Sequence, residues 1–199
     1  MVMRITFATS SRYKYLLASS VLGKYGIRVA QRKLDLDEIQ AISIEEVVLK
    51  KARDASAMIT GPLIVDDSGL YINSLNGFPG ALLKPVYLSL GNKRLAALCK
   101  GKDRNASFTS VLVFIDTARK VEKLFSFKMQ GRLAMHPMGN SKEGWEAAGP
   151  IFMPKGYDKT LAQFNSLERE AFFKNIENKL HYAQLGRWIS MNYKEAISK

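Results

Sequence analysis

Residues 62–70 constrain the fold of this chain more than any other stretch. They read PLIVDDSGL: a short apolar run, two adjacent acids, and a Ser-Gly pair that permits a tight turn. An apolar run bounded by turn formers is typical of a buried strand. Alternation along that strand would send Asp66 and Asp67 to opposite faces, so that one faces a cleft while the other braces the site. Two carboxylates at a strand end suit a divalent cation, a general base or both, and they also occur in ordinary acidic turns.

The periodicity of the rest of the chain predicts an α/β fold. Strands are predicted at 4–9, 27–34, 62–65, 106–116 and 120–133, with the last two forming an antiparallel pair and a short extended piece at 150–154. Helices are predicted from a cap at 10–11 to 23 or 26, and at 43–61, 81–90, 94–99 and 166–197, the last of them broken near Gly186.

Length and composition indicate one globular domain. At 199 residues, 47% hydrophobic and 24% charged, the chain is long enough for one domain with a substantial core, in one lobe or two. Its only cysteine, Cys99, excludes an intrachain disulfide and a cysteine metal cluster. The apolar part of the N-terminus is too short for a signal peptide, and no apolar run is long enough to cross a membrane. We therefore expect a cytoplasmic protein.

The charge is strongly basic and unevenly distributed. Thirty basic and 18 acidic residues give a net charge of +12, and no acid occurs between Asp67 and Asp103. The cations within that interval are Lys84, Lys93, Arg94, Lys100 and Lys102. Such a stretch attracts phosphates, nucleotides or nucleic acid, although a solvated basic surface gives the same pattern.

A second anion site is suggested where the first strand meets the first helix. A strand followed at once by a capped helix leaves free backbone N–H groups at the end of the strand. Thr9, Ser11 and Lys14 lie in that turn. Helix capping and a solvated lysine would explain the same residues.

Separated stretches of the chain together resemble the inosine/xanthosine triphosphate pyrophosphatases. Residues 9–14 read TSSRYK, similar to the family's T-x-N-x-x-K turn with serine in place of the asparagine, and residues 37–40 read DEIQ, similar to its E-I-Q element. Residues 65–70 and 76–80 match its central D-D-S-G-L…G-x-P-G signature. Residues 150–162 read PIFMPKGYDKTLA, similar to its P-I-F-x-P-x-G-x-x-K-T-x-A run. The stretches follow the family's order and span nearly the whole chain.

The resemblance implies an elongated α/β fold, with a long mixed β-sheet, flanking helices and two lobes around a central nucleotide-binding cleft, formed by residues 1–199 as one unit. It implies a homodimer and Mg²⁺-dependent hydrolysis of noncanonical purine nucleoside triphosphates to the monophosphate and pyrophosphate. Glu38 and Asp67 would hold the magnesium ion, and Asp67 or Asp66 would help to deprotonate the attacking water. The implied substrate ligands are Thr9, Ser11, Lys14 and either Lys50 or Lys51 at the phosphates, together with Ser68, Lys84, Trp145 and Lys159.

The departures from the family pattern lie in the part that reads the base. Gly149 stands where the family carries an aspartate, and Trp145 is the candidate for its stacking aromatic. The S-H-R triplet, which reads the purine edge in that family, is absent from residues 173–175 in an ungapped alignment and from 178–180 in a gapped one. His181 could substitute, although a lone histidine on a helix more often packs or faces solvent. The resemblance therefore implies catalysis with altered base selectivity.

Two other functions fit the same sequence. One is a nucleotide-binding paralogue with weak or no catalysis, and the other is a nucleic-acid-binding protein that uses the basic surface. The acids Glu38, Asp66 and Asp67 favour hydrolysis, because a protein that only binds nucleotide has no need of a metal cage. We expect a nucleoside triphosphate substrate and no membrane association, and the charge leaves nucleic acid open as a partner.

Overall fold

The computed structural model describes residues 3–37, 39–140 and 147–193 of the chain. Its strands are β1 (Arg4–Ala8), β2 (Arg28–Arg32), β3 (Leu63–Ile72), β4 (Pro79–Gly80), β5 (Asn105–Asp116), β6 (Val121–Leu133) and β7 (Phe152–Pro154). Its helices are α1 (Arg12–Gly23), α2 (Ile44–Met58), α3 (Leu83–Ala97), α4 (Ser166–Ile176) and α5 (His181–Asn192), with short 3₁₀ turns at Asn73–Leu75, Leu161–Gln163 and Glu177–Lys179.

Seven strands of the described chain form one mixed sheet. They follow the order β2-β1-β3-β5-β6-β7, and β4 adds beside β3. β1 runs parallel to β2 and to β3, whereas the remaining neighbours are antiparallel. The expected α/β fold, with a mixed sheet and flanking helices, is confirmed.

One edge of β3 has two different neighbours. Leu63 and Ile64 pair with β1, and Leu70 and Tyr71 pair with β4. Between these contacts, in the part of the chain that the structure describes, residues 65–69 have a partner strand only on the β5 side. The sheet is therefore open beside the two acids.

Helices cover both faces of the sheet. α1 and α5 enclose a core on the face that carries Ile64, together with Leu22 and Phe114. α2 packs on the opposite face against Val65 and Val113. A third core lies under α3 and α4 beside the second half of β3. Alternation along β3 thus decides which helix each successive side chain meets.

The structure corrects the predicted end of the central strand. β3 does not stop at the acids but continues through Ser68 and Gly69 to Ile72, because its ladder with β5 is unbroken. Asp66 and Asp67 therefore lie within the strand, and no turn forms after them. The glycine is needed for a different reason: a Cβ at Gly69 would lie 2.5 Å from the carbonyl oxygen of Gly80 on β4.

Of the two breaks predicted within helical regions, one is confirmed and one is wrong. The helices predicted at 81–90 and 94–99 are the two halves of α3, which are separated by a kink at Gly91, where φ is 68° and the backbone is not helical. The C-terminal helical region breaks at residues 177–180, between α4 and α5, and not at Gly186. Gly186 lies inside α5, where the ring of Tyr25 packs too close for a side chain. The end of the predicted helix, beyond residue 193, lies outside the described residues.

No helix in the part of the chain that the structure describes has both the length and the apolar character of a membrane span.

Candidate active site

Asp66 and Asp67 point to opposite faces of β3, as strand alternation predicts. Asp66 meets α1, and its Oδ1 lies 2.7 Å from Nζ of Lys14. Asp67 meets α2, and its Oδ2 lies 2.7 Å from Nζ of Lys51. Each acid therefore has its own lysine, and the two carboxylates lie in different surroundings.

The carboxylate of Asp66 is enclosed. Its side chain is 2% exposed, the hydroxyl of Tyr182 donates a hydrogen bond to its Oδ2, and Nε2 of His181 lies 3.4 Å from the same oxygen. Burial by itself raises the pKa of Asp66, but the charge of Lys14 and the hydrogen bond from His181 outweigh it, so the pKa lies well below its ordinary value. A carboxylate so enclosed and so weakly basic is suited to hold Lys14. The arrangement favours Asp67, rather than Asp66, as the group that accepts a proton from water.

The carboxylate of Asp67 is oriented and accessible. The backbone N–H of Ser68 donates to its Oδ1 at 2.8 Å, and Lys51 donates to its Oδ2. The Asp67 side chain is 28% exposed, whereas that of Lys51 is only 11% exposed. The hydroxyl of Ser68 shares a 2.8 Å hydrogen bond with that of Ser110 on β5. Two donors thus fix the Asp67 carboxylate while part of it still faces the cleft.

The turn between β1 and α1 is both a helix cap and a set of donors. The Oγ of Ser11 accepts a hydrogen bond from the backbone N–H of Lys14 at 3.3 Å, and Oγ1 of Thr9 accepts from the N–H of Ser11 at 3.1 Å. The cap that the sequence offered as an alternative is therefore present. It does not preclude anion binding, because each hydroxyl keeps its own proton to donate and the first turn of a helix has N–H groups without intrahelical acceptors.

A cleft runs along the open edge of β3, and its first part is charged. This charged end has a volume of about 720 Å³ and includes Thr9 and Ser11 in its wall. Its ionisable lining comprises Lys14, Lys33, Lys51, Lys84, Asp35, Asp66 and Asp67. Four ammonium groups outnumber three carboxylates in this lining, and Lys14 and Lys51 are already paired with Asp66 and Asp67. The remaining positive excess favours an anion.

Lys33 was not predicted from the sequence. It follows β2, whose carboxyl end lies beside that of β1: the N–H of Thr9 donates to the carbonyl oxygen of Arg32 at 3.1 Å. The signal for this placement was the parallel pairing of the first two strands, because parallel strands bring their carboxyl ends to one edge of a sheet.

The second part of the cleft is mostly apolar. This apolar end has a volume of about 430 Å³ and shares Ser11, Lys14, Asp67 and Lys84 with the charged end, so the two are continuous. Ser68 also lies in its wall. The larger apolar side chains there include Ile39, Val47, Leu82, Leu83, Tyr87, Leu88 and Phe108.

Two predicted site residues lie away from this cleft, and two others lie outside the described residues. Lys50 is exposed on α2 and pairs with Asp54 at 2.5 Å, so Lys51 is the lysine of this pair that faces the cleft. Lys159 is exposed and pairs with Glu168 at the start of α4. Glu38 and Trp145 lie outside the described residues, and their roles stay predictions.

The sequence analysis missed the role of the first residues of α5. The interpretation of His181 as a packing or surface residue was incomplete: it is buried, and it contacts Asp66 together with Tyr182. More than 100 residues separate these side chains from Asp66, and a local pattern does not reveal such a contact.

The described residues could hold a magnesium ion with one protein carboxylate, if substrate phosphates supply further ligands. In the described part of the chain, no three His, Cys, Asp or Glu side chains converge as a metal cage would require. Magnesium is commonly bound by one or two carboxylates, water and substrate phosphates, so a full protein cage is not needed. The oriented, accessible carboxylate of Asp67 at the charged end meets that requirement.

The chain matches the Ham1 family over residues 5–174. It is 36% identical over 168 residues to a dITP/XTP pyrophosphatase of Methanopyrus kandleri, covering 84% of this chain and 87% of that protein. It is also 31% identical over 179 residues to an inosine triphosphate pyrophosphatase of Yarrowia lipolytica, covering 88% of this chain and 93% of that one.

Solved structures agree with these sequence matches. A crystal structure described as a nucleoside-triphosphatase, or dITP/XTP pyrophosphatase, of Mycobacterium abscessus aligns with a TM-score of 0.69 at 25% identity, covering 87% of this chain and 95% of that one. A Ham1 protein of Coxiella burnetii aligns with a TM-score of 0.71 at 23% identity over 98% of this chain and all of that one, and so supports the fold. The resemblance found in the motifs is confirmed, and this chain belongs to the Ham1 family.

Proposed function

We propose that this protein hydrolyses purine nucleoside triphosphates, including noncanonical ones, to the monophosphate and pyrophosphate, with magnesium and with altered base selectivity. The names of its relatives support the reaction class. The observation that carries the proposal is the contrast between the two acids: Asp66 is buried against Lys14, while Asp67 is oriented toward a lysine-rich cleft.

The two ends of the cleft suit the two chemical parts of a nucleoside triphosphate. Lys14, Lys33, Lys51 and Lys84 would contribute positive charge to the binding of the three phosphates at the charged end. The adjoining apolar end would receive the base and sugar against side chains such as Tyr87 and Phe108. Because the two ends share Asp67, the chemistry would occur near their junction.

Asp67 would act on the water that attacks. The water oxygen forms a bond to phosphorus, the bond from that phosphorus to the oxygen bridging the α- and β-phosphates breaks, and pyrophosphate leaves. Asp67 accepts the proton that the water loses. Lys51 and the N–H of Ser68 hold the carboxylate in one orientation, so that little reorganisation is needed during the reaction.

Asp67 would also be a ligand for magnesium, with Glu38 as the second carboxylate that the resemblance implies. When bound, the ion would neutralise charge that develops on the phosphates. The remaining neutralisation falls to the lysines of the charged end.

Altered selectivity follows from the wall of the apolar end. Within the described residues, that wall contains no histidine or arginine, and His181 is turned toward Asp66. A site that meets a base with apolar surface discriminates less between purines than one that meets it with paired polar groups. We also infer, from the resemblance, that residues 1–199 work as one two-lobed unit and as a homodimer in the cytoplasm.

A nucleotide panel tests the proposal directly. The purified protein is incubated with magnesium and each of ITP, XTP, dITP, ATP, GTP and UTP, and released pyrophosphate is measured. We expect turnover of the purine nucleotides with pyrophosphate and monophosphate in equal amounts. Tight binding without turnover would favour a nucleotide-binding paralogue, and sub-micromolar RNA binding at physiological salt without turnover would favour nucleic acid.

A further inference from the structure

Tyr182 is a buried tyrosine whose hydroxyl group contacts the site through Asp66. It is 1% exposed, its ring packs edge-on against Phe7 of β1 with centroids 6.2 Å apart, and its hydroxyl donates to Oδ2 of Asp66. It does not line either end of the described cleft. Its polar atom therefore serves the carboxylate and has no direct path to a bound nucleotide.

Asp66 connects this hydroxyl to a lysine of the cleft. Its two oxygens are used separately: Oδ2 accepts from the hydroxyl of Tyr182 and lies 3.4 Å from Nε2 of His181, and Oδ1 faces the ammonium of Lys14 at 2.7 Å. Lys14 is 25% exposed and lies in the wall of both ends of the cleft. A continuous line of contacts thus runs from the core through the carboxylate to the surface that would meet phosphate.

A lysine needs such support more than most ligands do. Its ammonium group lies at the end of a flexible four-carbon chain, and fixing that chain in one conformation costs substantial side-chain entropy. A carboxylate held by a rigid, packed phenol gives the ammonium one favoured position before the substrate arrives. Preorganised charge of this kind is worth more than charge that must be ordered on binding.

We propose that Tyr182 is a positioning residue of the active site, which acts through Asp66 to place Lys14 against the triphosphate of the substrate. The inference rests on the proposed function for the identity of the ligand, but its test needs only the phosphate chain. Inorganic tripolyphosphate serves as the probe, because it carries the charge of the substrate and has no base.

The chain offers a matched control in another buried tyrosine–aspartate pair. The hydroxyl of Tyr193 donates to Oδ2 of Asp116 at 3.0 Å, at the far end of β5, and Tyr193 is 4% exposed. Tyr182→Phe and Tyr193→Phe each remove a buried hydroxyl that donates to an aspartate. Both variants should lose some stability in urea unfolding, so stability alone does not separate a structural role from a positioning role.

The affinity for tripolyphosphate, measured by titration calorimetry, separates the two roles. We expect Tyr182→Phe to weaken it about tenfold, the scale of one hydrogen bond to a charged group, and Tyr193→Phe to leave it unchanged. In a Lys14→Met background, the Tyr182→Phe change should have no further effect, because the two residues act in one line. Full affinity in the single variant, or an equal additional loss in the double variant, would overturn the proposal.

A second readout distinguishes this role from reading the base. The ratio of kcat/KM for ITP to that for ATP should be the same in Tyr182→Phe as in the unmodified protein. A changed ratio with unchanged tripolyphosphate affinity would make Tyr182 a base reader and overturn the assignment. If the unmodified protein binds tripolyphosphate but hydrolyses no nucleotide, the proposed function fails while the positioning role is still decided by the calorimetry.

Discussion

Nζ of Lys51 on α2 lies 2.7 Å from Oδ2 of Asp67 on β3. This contact joins the helix on one face of the sheet to the strand that borders the cleft. Of the two lysines that the sequence left open as phosphate ligands, Lys51 is the one that lines the cleft, whereas Lys50 pairs with Asp54. The two adjacent lysines should therefore respond very differently to the same substitution.

Lys51→Met should lower turnover, and Lys50→Met should not. Loss of the ammonium frees the Asp67 carboxylate to rotate and removes a charge from the phosphate end, so we expect a fall of about tenfold or more. The i,i+4 pair on the exposed face of α2 contributes little, so turnover of the Lys50 variant should stay within about twofold. Steady-state pyrophosphate release at saturating nucleotide checks both. Equal effects of the two substitutions would refute the distinct role of Lys51.

Substitution of the two adjacent acids should destabilise the protein to different extents, because the acids differ in burial. Asp66→Asn leaves the partly buried Lys14 without its counter-charge, and we expect the free energy of unfolding to fall by about 2–4 kcal/mol. Asp67→Asn also leaves a lysine, Lys51, without its counter-charge, but the carboxylate that it removes is itself 28% exposed, so we expect a smaller loss of about 1–2 kcal/mol. Urea unfolding with linear extrapolation measures both values. A larger loss at Asp67 than at Asp66 would contradict this assignment of surroundings.

Gly69→Ala should disturb the site through the backbone. The new Cβ would lie 2.5 Å from the carbonyl oxygen of Gly80, so β4 must move away and α3 with it. We expect lower stability and weaker nucleotide binding. Gly23→Ala, at the end of α1 where nothing lies within 4 Å of the new atom, is the control and should be neutral or slightly stabilising. A Gly69 variant with normal nucleotide binding would show that the close approach of β3 and β4 at Gly69 does not shape the cleft.

This protein should discriminate less between bases than family members that carry the S-H-R triplet. We expect a narrow gap between inosine and adenosine or guanosine triphosphates. Trp145→Ala should weaken the binding of all purine nucleotides alike, by about 1–3 kcal/mol if the indole stacks on the base. Melting temperatures with and without nucleotide check whether the variant is merely unstable. A sharp preference for inosine in the unmodified protein would mean that polar base readers exist outside the described cleft wall.

The sequence predicted what depends on local periodicity. The alternation of Asp66 and Asp67 follows from the two-residue period of a strand, and the cap at Ser11 follows from its position before an apolar helix. The extent of β3 was not predictable in this way, because Ser68 and Gly69 form turns as readily as strands until a partner such as β5 pairs with them.

Long-range packing decided the rest. Which of Lys50 and Lys51 faces the cleft depends on the rotation of α2 over the sheet, and that rotation is set by the apolar contacts of the whole helix. Tyr182 meets Asp66 only because α5 returns across the face of the sheet after more than 100 residues. The sequence also predicts a helix break at Gly186, because glycine often ends a helix. In the structure this glycine lies inside α5, where it makes room for the ring of Tyr25.

We propose that Asp67 carries out hydrolysis while Asp66 holds Lys14 in place. The most direct measurement is single-turnover pyrophosphate release from ITP with magnesium in Asp67→Asn, at saturating protein. We expect a folded variant that still binds tripolyphosphate and whose rate falls by about two orders of magnitude or more, the scale of an acid–base residue. A rate equal to that of the unmodified protein would contradict it.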